Sequence, residues 1–290
     1  MEKIISYGIF FAIIFGLIVP FGENYKFLIP ILLSIVLFFN FLNLKYKFNN
    51  FFQKELLYYL IIGLGIIPFF VFLLTQNIDL NLRLGIFIIS ITPTAISAPI
   101  IVNLIKGNRE LIISNVILYN LLSPITYTFL LNIYFSKSDL TIPTKQLFIK
   151  LVLMIFIPLI LALIVRNFIN FKEKLLRVSK FASPISFILV ITIAVSSTSL
   201  YFKKLTPFIL IQISIIVFIL TTISFLIAFY ISKNNKSKKT LSVVFGHKNT
   251  ALAAWIILSN FAPVVVIPTI IYIICHHIIN GVLIHKYINR

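Results

Sequence analysis

The chain has 290 residues, of which 60% are apolar and 11% are charged, and its mean hydropathy is +1.08. Soluble domains average about 45–50% apolar and about 25% charged residues, so this composition excludes a soluble protein. A membrane-spanning helix needs about 20 apolar residues, so roughly ten helices would use most of the chain and leave no room for a second, soluble domain. The single cysteine, Cys275, excludes an internal disulfide and any multi-cysteine metal site.

Hydropathy predicts ten apolar spans separated by short polar gaps. We place the spans near residues 4–20, 27–44, 57–75, 83–105, 111–135, 146–166, 181–201, 206–232, 241–261 and 264–285. The first span is long and lacks a small-residue cleavage site after it, so we interpret it as a retained helix rather than a signal peptide. The chain is therefore predicted to be an all-α polytopic membrane protein.

The net charge of +18 is carried almost entirely by the gaps between spans. If successive gaps alternate sides, one side collects 17 of the 25 Lys and Arg residues, among them Lys45, Lys47, Arg109, Lys180 and Arg290. The positive-inside rule then puts both termini in the cytoplasm, in a plasma or inner membrane. These basic residues are expected to contact lipid headgroups, and we predict no nucleic-acid partner.

The first five spans and the last five begin about half a chain length apart. Because five is odd, the second half would enter the membrane in the opposite sense from the first, as in the inverted repeats of many secondary transporters. We predict a single membrane domain of two such halves, residues 1–140 and residues 141–290. The similarity in side chains between the halves is weak, so unrelated halves of similar spacing are the alternative.

The fourth and ninth spans, which correspond in the two halves, each contain an interruption. The fourth reads Thr92-Pro93-Thr94-Ala95-Ile96-Ser97-Ala98-Pro99, and each proline removes a backbone donor. The ninth contains Gly246-His247-Lys248-Asn249-Thr250. Interrupted helices in equivalent positions predict a binding site at mid-membrane, whereas the simpler interpretation is an ordinary kink in each.

Lys248 is the only Lys, Arg, Asp or Glu well inside a predicted span. A lysine at the membrane centre costs about 2.5–3.5 kcal/mol on insertion scales, so something should offset its charge. No carboxylate lies inside a span, so we expect either a bound anion or the carbonyl ends of the interrupted helices to do so. The alternative is that the side chain extends to the headgroups.

His247, His276 and His277 add proton chemistry to the same region. Neighbouring residues point about 100° apart on a helix, so we expect at most one of His276 and His277 to face a cavity. No carboxylate or second cysteine accompanies them, so we predict no metal and no cofactor. Because no catalytic motif is found either, we predict that the chain is not an enzyme.

Two stretches resemble the bile acid:sodium symporter family. Residues 93–108, followed by Leu121-Leu122-Ser123-Pro124, resemble the family's P-G-G-T-A-S-N, its basic residue with Gly-Asn, and its L-L-S/A-P. Residues 246–253 resemble the family's E-V-G-M-Q-N-S-G-L-A. The resemblance implies a panel of two helices and a core of eight, with the interrupted fourth and ninth helices crossing and transport by alternating access.

The family's sodium ligands are replaced at the corresponding positions. By ungapped alignment these ligands fall on Ala98, Pro99, Ile112, Val116, Val244 and Lys248. Hard cations need several oxygen ligands, and a nearby ammonium would repel them, so sodium is doubtful as a partner.

The leading hypothesis is a secondary-active transporter of a small organic anion that is sodium-independent or proton-coupled through Lys248. One alternative is sodium-coupled symport through backbone carbonyls and oxygens such as those of Ser114 or Asn120. Another is a non-transporting membrane regulator or scaffold that uses the basic segment 233–239. The predicted substrate or coupling site comprises Lys248, His247, Asn249, Thr250, Gly246, Thr94, Ser97, Pro99, Asn103, Asn120 and His276.

Overall fold

The structure is a computed structural model that describes residues 2–44, 53–138 and 140–288. The described residues form helices and no strand. The first half contains α1 (Glu2–Ile18), α2 (Gly22–Tyr25), α3 (Leu28–Asn43), α4 (Lys54–Tyr58), α5 (Ile67–Leu74), α6 (Leu80–Ile91), α7 (Ala98–Leu104) and α8 (Arg109–Phe135). The second half contains α9 (Thr144–Arg166), α10 (Ile169–Lys204), α11 (Pro207–Leu226), α12 (Ala228–Ile231), α13 (Asn235–Gly246), α14 (Thr250–Asn260) and α15 (Ile267–Ile288).

Helices cover most of every predicted span, and their composition makes this an integral membrane protein. Six helical segments are long and apolar enough to cross a membrane on length and composition: residues 54–74, 109–135, 144–166, 172–204, 207–231 and 263–287. Tyr59–Ile66 is a π-helix that joins α4 to α5. Three basic residues used to predict the orientation, Lys45, Lys47 and Arg290, lie outside the described residues.

Helix α10 begins at Ile169, well before the predicted span that starts at residue 181. Its first turns carry Lys172, Lys174, Arg177 and Lys180, which lower the hydropathy of any window that includes them. Lys, Arg and Leu are nevertheless good helix formers, so the helix extends beyond its apolar part. The predicted boundary was wrong because hydropathy reports membrane burial rather than helix length.

The family resemblance implies a panel of two helices, but four helices pack side by side in this structure. Helix α1 packs against α10, α10 against α3, and α3 against α9. These are the first, seventh, second and sixth of the predicted spans. We call this group the panel, and its helices α3 and α10 form one wall of the cavities described below.

Both predicted interruptions are confirmed. Helix α6 ends at Ile91 because Pro93 cannot continue it, and Thr92 takes the extended backbone typical of a residue before proline. Helix α13 ends at Gly246 without any proline, and the Asn249 side chain caps α14 by accepting from Leu252 N. The chain is thus non-helical at 92–97 and at 247–249.

Candidate functional site

The two non-helical segments meet and pair with each other. Ala95 N donates to His247 O, and Asn249 N donates to Pro93 O, each at 2.8 Å. These bonds form a short antiparallel bridge between Thr94 and Lys248. Backbone groups that leave a helix inside a membrane must find partners within the protein. We call this pairing the crossing, and it brings together residues about 150 positions apart in the chain.

Side chains satisfy the other carbonyls that the interruptions release. Thr94 Oγ1 donates to Val244 O at 2.7 Å, and Tyr272 OH donates to Gly246 O at 2.8 Å. Asn120 Nδ2 donates to Thr94 O at 2.9 Å. Because buried carbonyls without donors are costly, these polar residues have a structural task at the crossing before any ligand is considered.

The Lys248 ammonium lies at the carbonyl end of α6. Nζ donates to Ser90 O at 3.1 Å and to the Tyr59 hydroxyl at 3.3 Å, and the residue is 1% exposed. Tyr59 in turn donates to Thr92 O at 3.0 Å, and its ring centroid lies 5.1 Å from Nζ. The ammonium therefore does not extend to the headgroups. Of the two expected counter-charges, the helix carbonyl end is the one that the structure shows.

Within the part of the chain that the structure describes, no carboxylate is paired with this lysine. Among the described residues the only ion pair is Lys26–Glu23, at the surface. The Lys248 ammonium instead faces the negative end of the α6 dipole, one backbone carbonyl and the ring of Tyr59. Tyr59 was not predicted as a site residue. Its only sequence signal is an apolar stretch with Gly63 and Gly65, which forms the π-helix and is followed by Pro68.

The polar residues predicted for the site divide into two groups. Thr94, Asn120 and Gly246 belong to the crossing, and the Asn120 Oδ1 accepts from Asn249 Nδ2 at 3.2 Å. His247, Lys248, Asn249, Thr250, Ser97 and His276 line an inner cavity of about 150 Å³ between the crossing and the panel. The crossing is therefore one wall of this cavity.

Two predicted residues lie farther out. Pro99 and Asn103 line an outer cavity of about 400 Å³. The outer and inner cavities share Asn40, Ile96 and Ile100 on their walls, so they adjoin. Arg109 and Lys180 lie at the outer cavity, and no Asp or Glu is found among the described residues that line either one. A cleft lined by one sign of charge concentrates ligands of the opposite sign.

Both neighbouring histidines line the inner cavity, so the expectation that at most one would do so was wrong. The ring centroids of His276 and His277 are 4.4 Å apart, and those of His247 and His276 are 4.8 Å apart. The 100° rule concerns the directions in which two side chains leave the helix axis. The cavity reaches around enough of α15 to meet both rings. His277 and Asn280 were not predicted as site residues.

Comparison with known proteins identifies the family. Residues 25–208, more than half of the chain, match the Sodium Bile acid symporter family. The chain belongs to this family. Its description as a family of symporters agrees with the prediction that the chain is not an enzyme. The matched range ends before α13, so the crossing lies partly beyond it.

The chain is also similar to a named bacterial protein. The "Uncharacterized sodium-dependent transporter YocS" of Bacillus subtilis (strain 168) is 24% identical over 211 residues, which are 71% of this chain and 64% of that protein. The match thus spans less than two thirds of the curated relative's length.

Four of the six positions on which the ungapped alignment places the family's sodium ligands carry buried apolar side chains. Ala98, Ile112, Val116 and Val244 are each 0% exposed. The oxygen of Asn120 already accepts from Asn249. Hard cations bind several oxygen ligands, and these side chains supply none.

We expect Asn249→Ala to destabilise the protein more than Asn234→Ala. Both asparagines cap a helix, and losing a cap costs about 1 kcal/mol. Asn249 also donates to Asn120 inside the protein, so its loss leaves a buried acceptor unpaired and costs about 1–3 kcal/mol more. Thermal unfolding of the two purified variants measures the difference. Equal shifts in Tm would show that the bond across the crossing contributes nothing.

Proposed function

We propose that this chain is a secondary-active transporter of a small organic anion that needs no sodium, because the Lys248 ammonium takes the place of a bound cation at the crossing. The observation that carries the proposal is the position of Nζ, buried at the carbonyl end of α6 and bonded to Ser90 O. Carbonyl oxygens at the end of an interrupted helix are the type of group that binds the coupling ion in other transporters. Here a covalently attached cation uses one of them.

The cavities support an anion as the substrate. The walls include the cationic residues Arg109 and Lys180, while no acidic residue is found among the described residues that line them. The outer cavity lies at the end of α3 and the start of α8, which is the side predicted to carry both termini. We infer that this conformation is open to the cytoplasm and that transport proceeds by alternating access between the panel and the crossing.

The proposal includes the parts of the topology that were expected from the sequence. The two halves, residues 1–140 and residues 141–290, form an inverted repeat of five spans each, and both termini lie in the cytoplasm. In this arrangement the panel moves relative to the remaining helices, which carry the crossing. The crossing can move as one unit, since backbone bonds join its two segments directly.

The test is uptake of labelled carboxylates into proteoliposomes. Benzoate, lactate and a bile acid are offered under an inward sodium gradient, under the same gradient of choline, and under an imposed pH gradient. We expect uptake of at least one carboxylate at equal rates in sodium and choline. A strict requirement for sodium would overturn the proposal in favour of sodium symport. Absence of uptake of every probe would favour a non-transporting regulator or scaffold.

Sodium binding is tested separately by thermal stability. A ligand that binds only the folded state raises the free energy of unfolding, by about 2.7 kcal/mol at one hundred times its Kd. Tm therefore rises with the concentration of the ligand. We expect sodium chloride and choline chloride at equal ionic strength to give the same Tm. A rise in Tm that is specific to sodium would show an intact cation site.

A further inference from the structure

The inner cavity contains a cluster of three histidines, two of which have no assigned role in the proposed function. His247 belongs to the interruption between α13 and α14, and His276 and His277 belong to α15. The ring centroid of His247 lies 4.8 Å from that of His276 and 6.1 Å from that of His277. We call these three residues the histidine cluster. Within the described ranges no group of His, Cys, Asp or Glu has the arrangement of a metal site.

One ring of the cluster is fixed by its neighbours. The amide Nδ2 of Asn280 lies 2.8 Å from His247 Nδ1, and Ser97 Oγ lies 3.3 Å from His247 Nε2. With the amide donating to Nδ1, the ring proton is on Nε2 and points to the Ser97 hydroxyl. His247 therefore uses both of its nitrogens within the protein.

The other two rings have unused hydrogen-bonding capacity. His276 Nδ1, His276 Nε2 and His277 Nε2 are buried without a protein partner, and so is Asn280 Oδ1. His276 is 1% exposed. A neutral imidazole always carries one N–H donor, and buried donors in folded proteins are nearly always paired. Because both nitrogens of His276 are unpaired, at least one buried N–H donor at this cavity has no acceptor within the protein.

The size and the walls of the inner cavity limit which ligand can supply that acceptor. Its volume of about 150 Å³ is close to that of an engineered protein cavity that takes one benzene molecule. The panel contributes Val36, Leu37 and Phe187 together with the polar Asn40 and Ser183, and the histidines lie with the crossing at the other side. This arrangement fits an apolar body with one polar acceptor group.

We propose that the inner cavity binds a small carboxylate with an apolar body, about the size of benzoate, and that His276 and His277 donate their ring N–H groups to its carboxylate. The unpaired nitrogens are buried in this conformation, so the two rings turn toward the cavity when the carboxylate binds. This inference rests on the proposed function, since it names the substrate class of the same site. A steroid acid is too large for this cavity.

The experiment is calorimetric binding to the purified protein in nanodiscs, with benzoate, benzamide, 2-naphthoate and 1-pyrenecarboxylate. We expect benzoate to bind, benzamide to bind at least about tenfold more weakly because it carries no charge, and pyrenecarboxylate not to bind. If benzoate gives no heat of binding up to high millimolar concentration, the cavity holds only water and the proposal is wrong. Equal affinities for benzoate and benzamide would remove the carboxylate from the proposal.

The histidines are tested with His276→Gln, His277→Gln and the matched control His285→Gln, which changes an exposed histidine on the same helix. We expect Kd for benzoate to rise about tenfold or more in the first two variants and to stay within about twofold in the control. An unchanged Kd in both cavity variants would overturn the proposal. If a variant does not fold, the ligand series on the unmodified protein still decides the proposal.

The two proposals fail in different ways. Histidine-dependent binding of benzoate without uptake into proteoliposomes would contradict transport and leave the binding site standing. Sodium-independent uptake that depends on Lys248, together with unchanged benzoate binding in the His276 and His277 variants, would contradict this inference alone.

Discussion

Lys248→Met is expected to lower carboxylate uptake at least about tenfold and to leave the protein folded. Methionine has nearly the length of lysine and no charge, so it fills the same space beside Tyr59 without the ammonium. Losing a hydrogen bond from a charged group costs about 1.5–3 kcal/mol, which corresponds to a rate at least about tenfold lower if transport depends on this charge. The measurement is initial uptake into proteoliposomes, corrected for the amount of reconstituted protein.

The stability of this variant separates a transport role from a structural one. Replacing a buried charge by an apolar side chain of similar volume is often neutral or stabilising, because the desolvation cost disappears. We therefore expect Tm of Lys248→Met to equal or exceed that of the unmodified protein. If Tm falls and uptake falls only in proportion to the folded fraction, Lys248 serves the fold alone.

Lys150→Met is the matched control. Lys150 Nζ also donates to the end of an interrupted helix, to Ser259 O and Asn260 Oδ1 at 2.9 Å each, but the first contact is exposed and the second only partly buried. We expect its uptake to stay within about threefold of the unmodified protein, since exposed charged contacts contribute little. An equal loss in both variants would mean that removing any lysine from a helix end impairs transport, whether or not it lies at the crossing.

Gly246→Ala is expected to be the most destabilising single-methyl substitution at the crossing. A Cβ at this position would overlap the ring of Phe225, which is 2% exposed and cannot move without disturbing its neighbours. Overpacking of a buried site costs about 1–3 kcal/mol. We expect thermal unfolding in detergent to show a lower Tm. We also expect the protein that remains folded to take up less carboxylate, because His247 and Lys248 come directly after Gly246 in the chain and shift with it.

Gly281→Ala provides the comparison for this substitution. Gly281 lies in α15 and would have no atom within 4 Å of an added Cβ. Alanine favours a helix over glycine by up to about 1 kcal/mol, so this variant should be as stable as the unmodified protein or more so. If Gly246→Ala is as stable as Gly281→Ala, the close approach of α13 to Phe225 does not constrain the site.

Much of the fold was predictable because its signals are local. Apolar runs placed the spans, and Pro93 with its extended neighbour Thr92 placed the interruption in the fourth span. The interruption in the ninth span was predictable from the clustering of Gly246, Lys248 and Asn249, which are poorly suited to a membrane helix. The panel of four helices was not predictable, since hydropathy does not tell which spans pack together.

Less of the candidate site was predictable. Lys248 was found because a buried charge is conspicuous in an apolar span, but Tyr59 and His277 were not. Tyr59 looks like any aromatic residue near a membrane interface. Only one of His276 and His277 was expected to face the cavity, because α15 was treated as a cylinder with one facing side. Tyr59 and His277 belong to the site because of the residues from other helices that pack against them, and a projection of a single helix does not show those residues.

The sequence by itself determined the membrane class, the positions of the helices, the two interruptions and the identity of the buried cation. These follow from hydropathy, from proline chemistry in the fourth span and from the cluster of Gly246, Lys248 and Asn249 in the ninth, all of which are local signals in the chain. Only the tertiary structure decided where the ammonium lies and which histidines share a cavity. Its partners Ser90 and Tyr59 are 158 and 189 residues away, and contacts over such separations depend on how the helices pack.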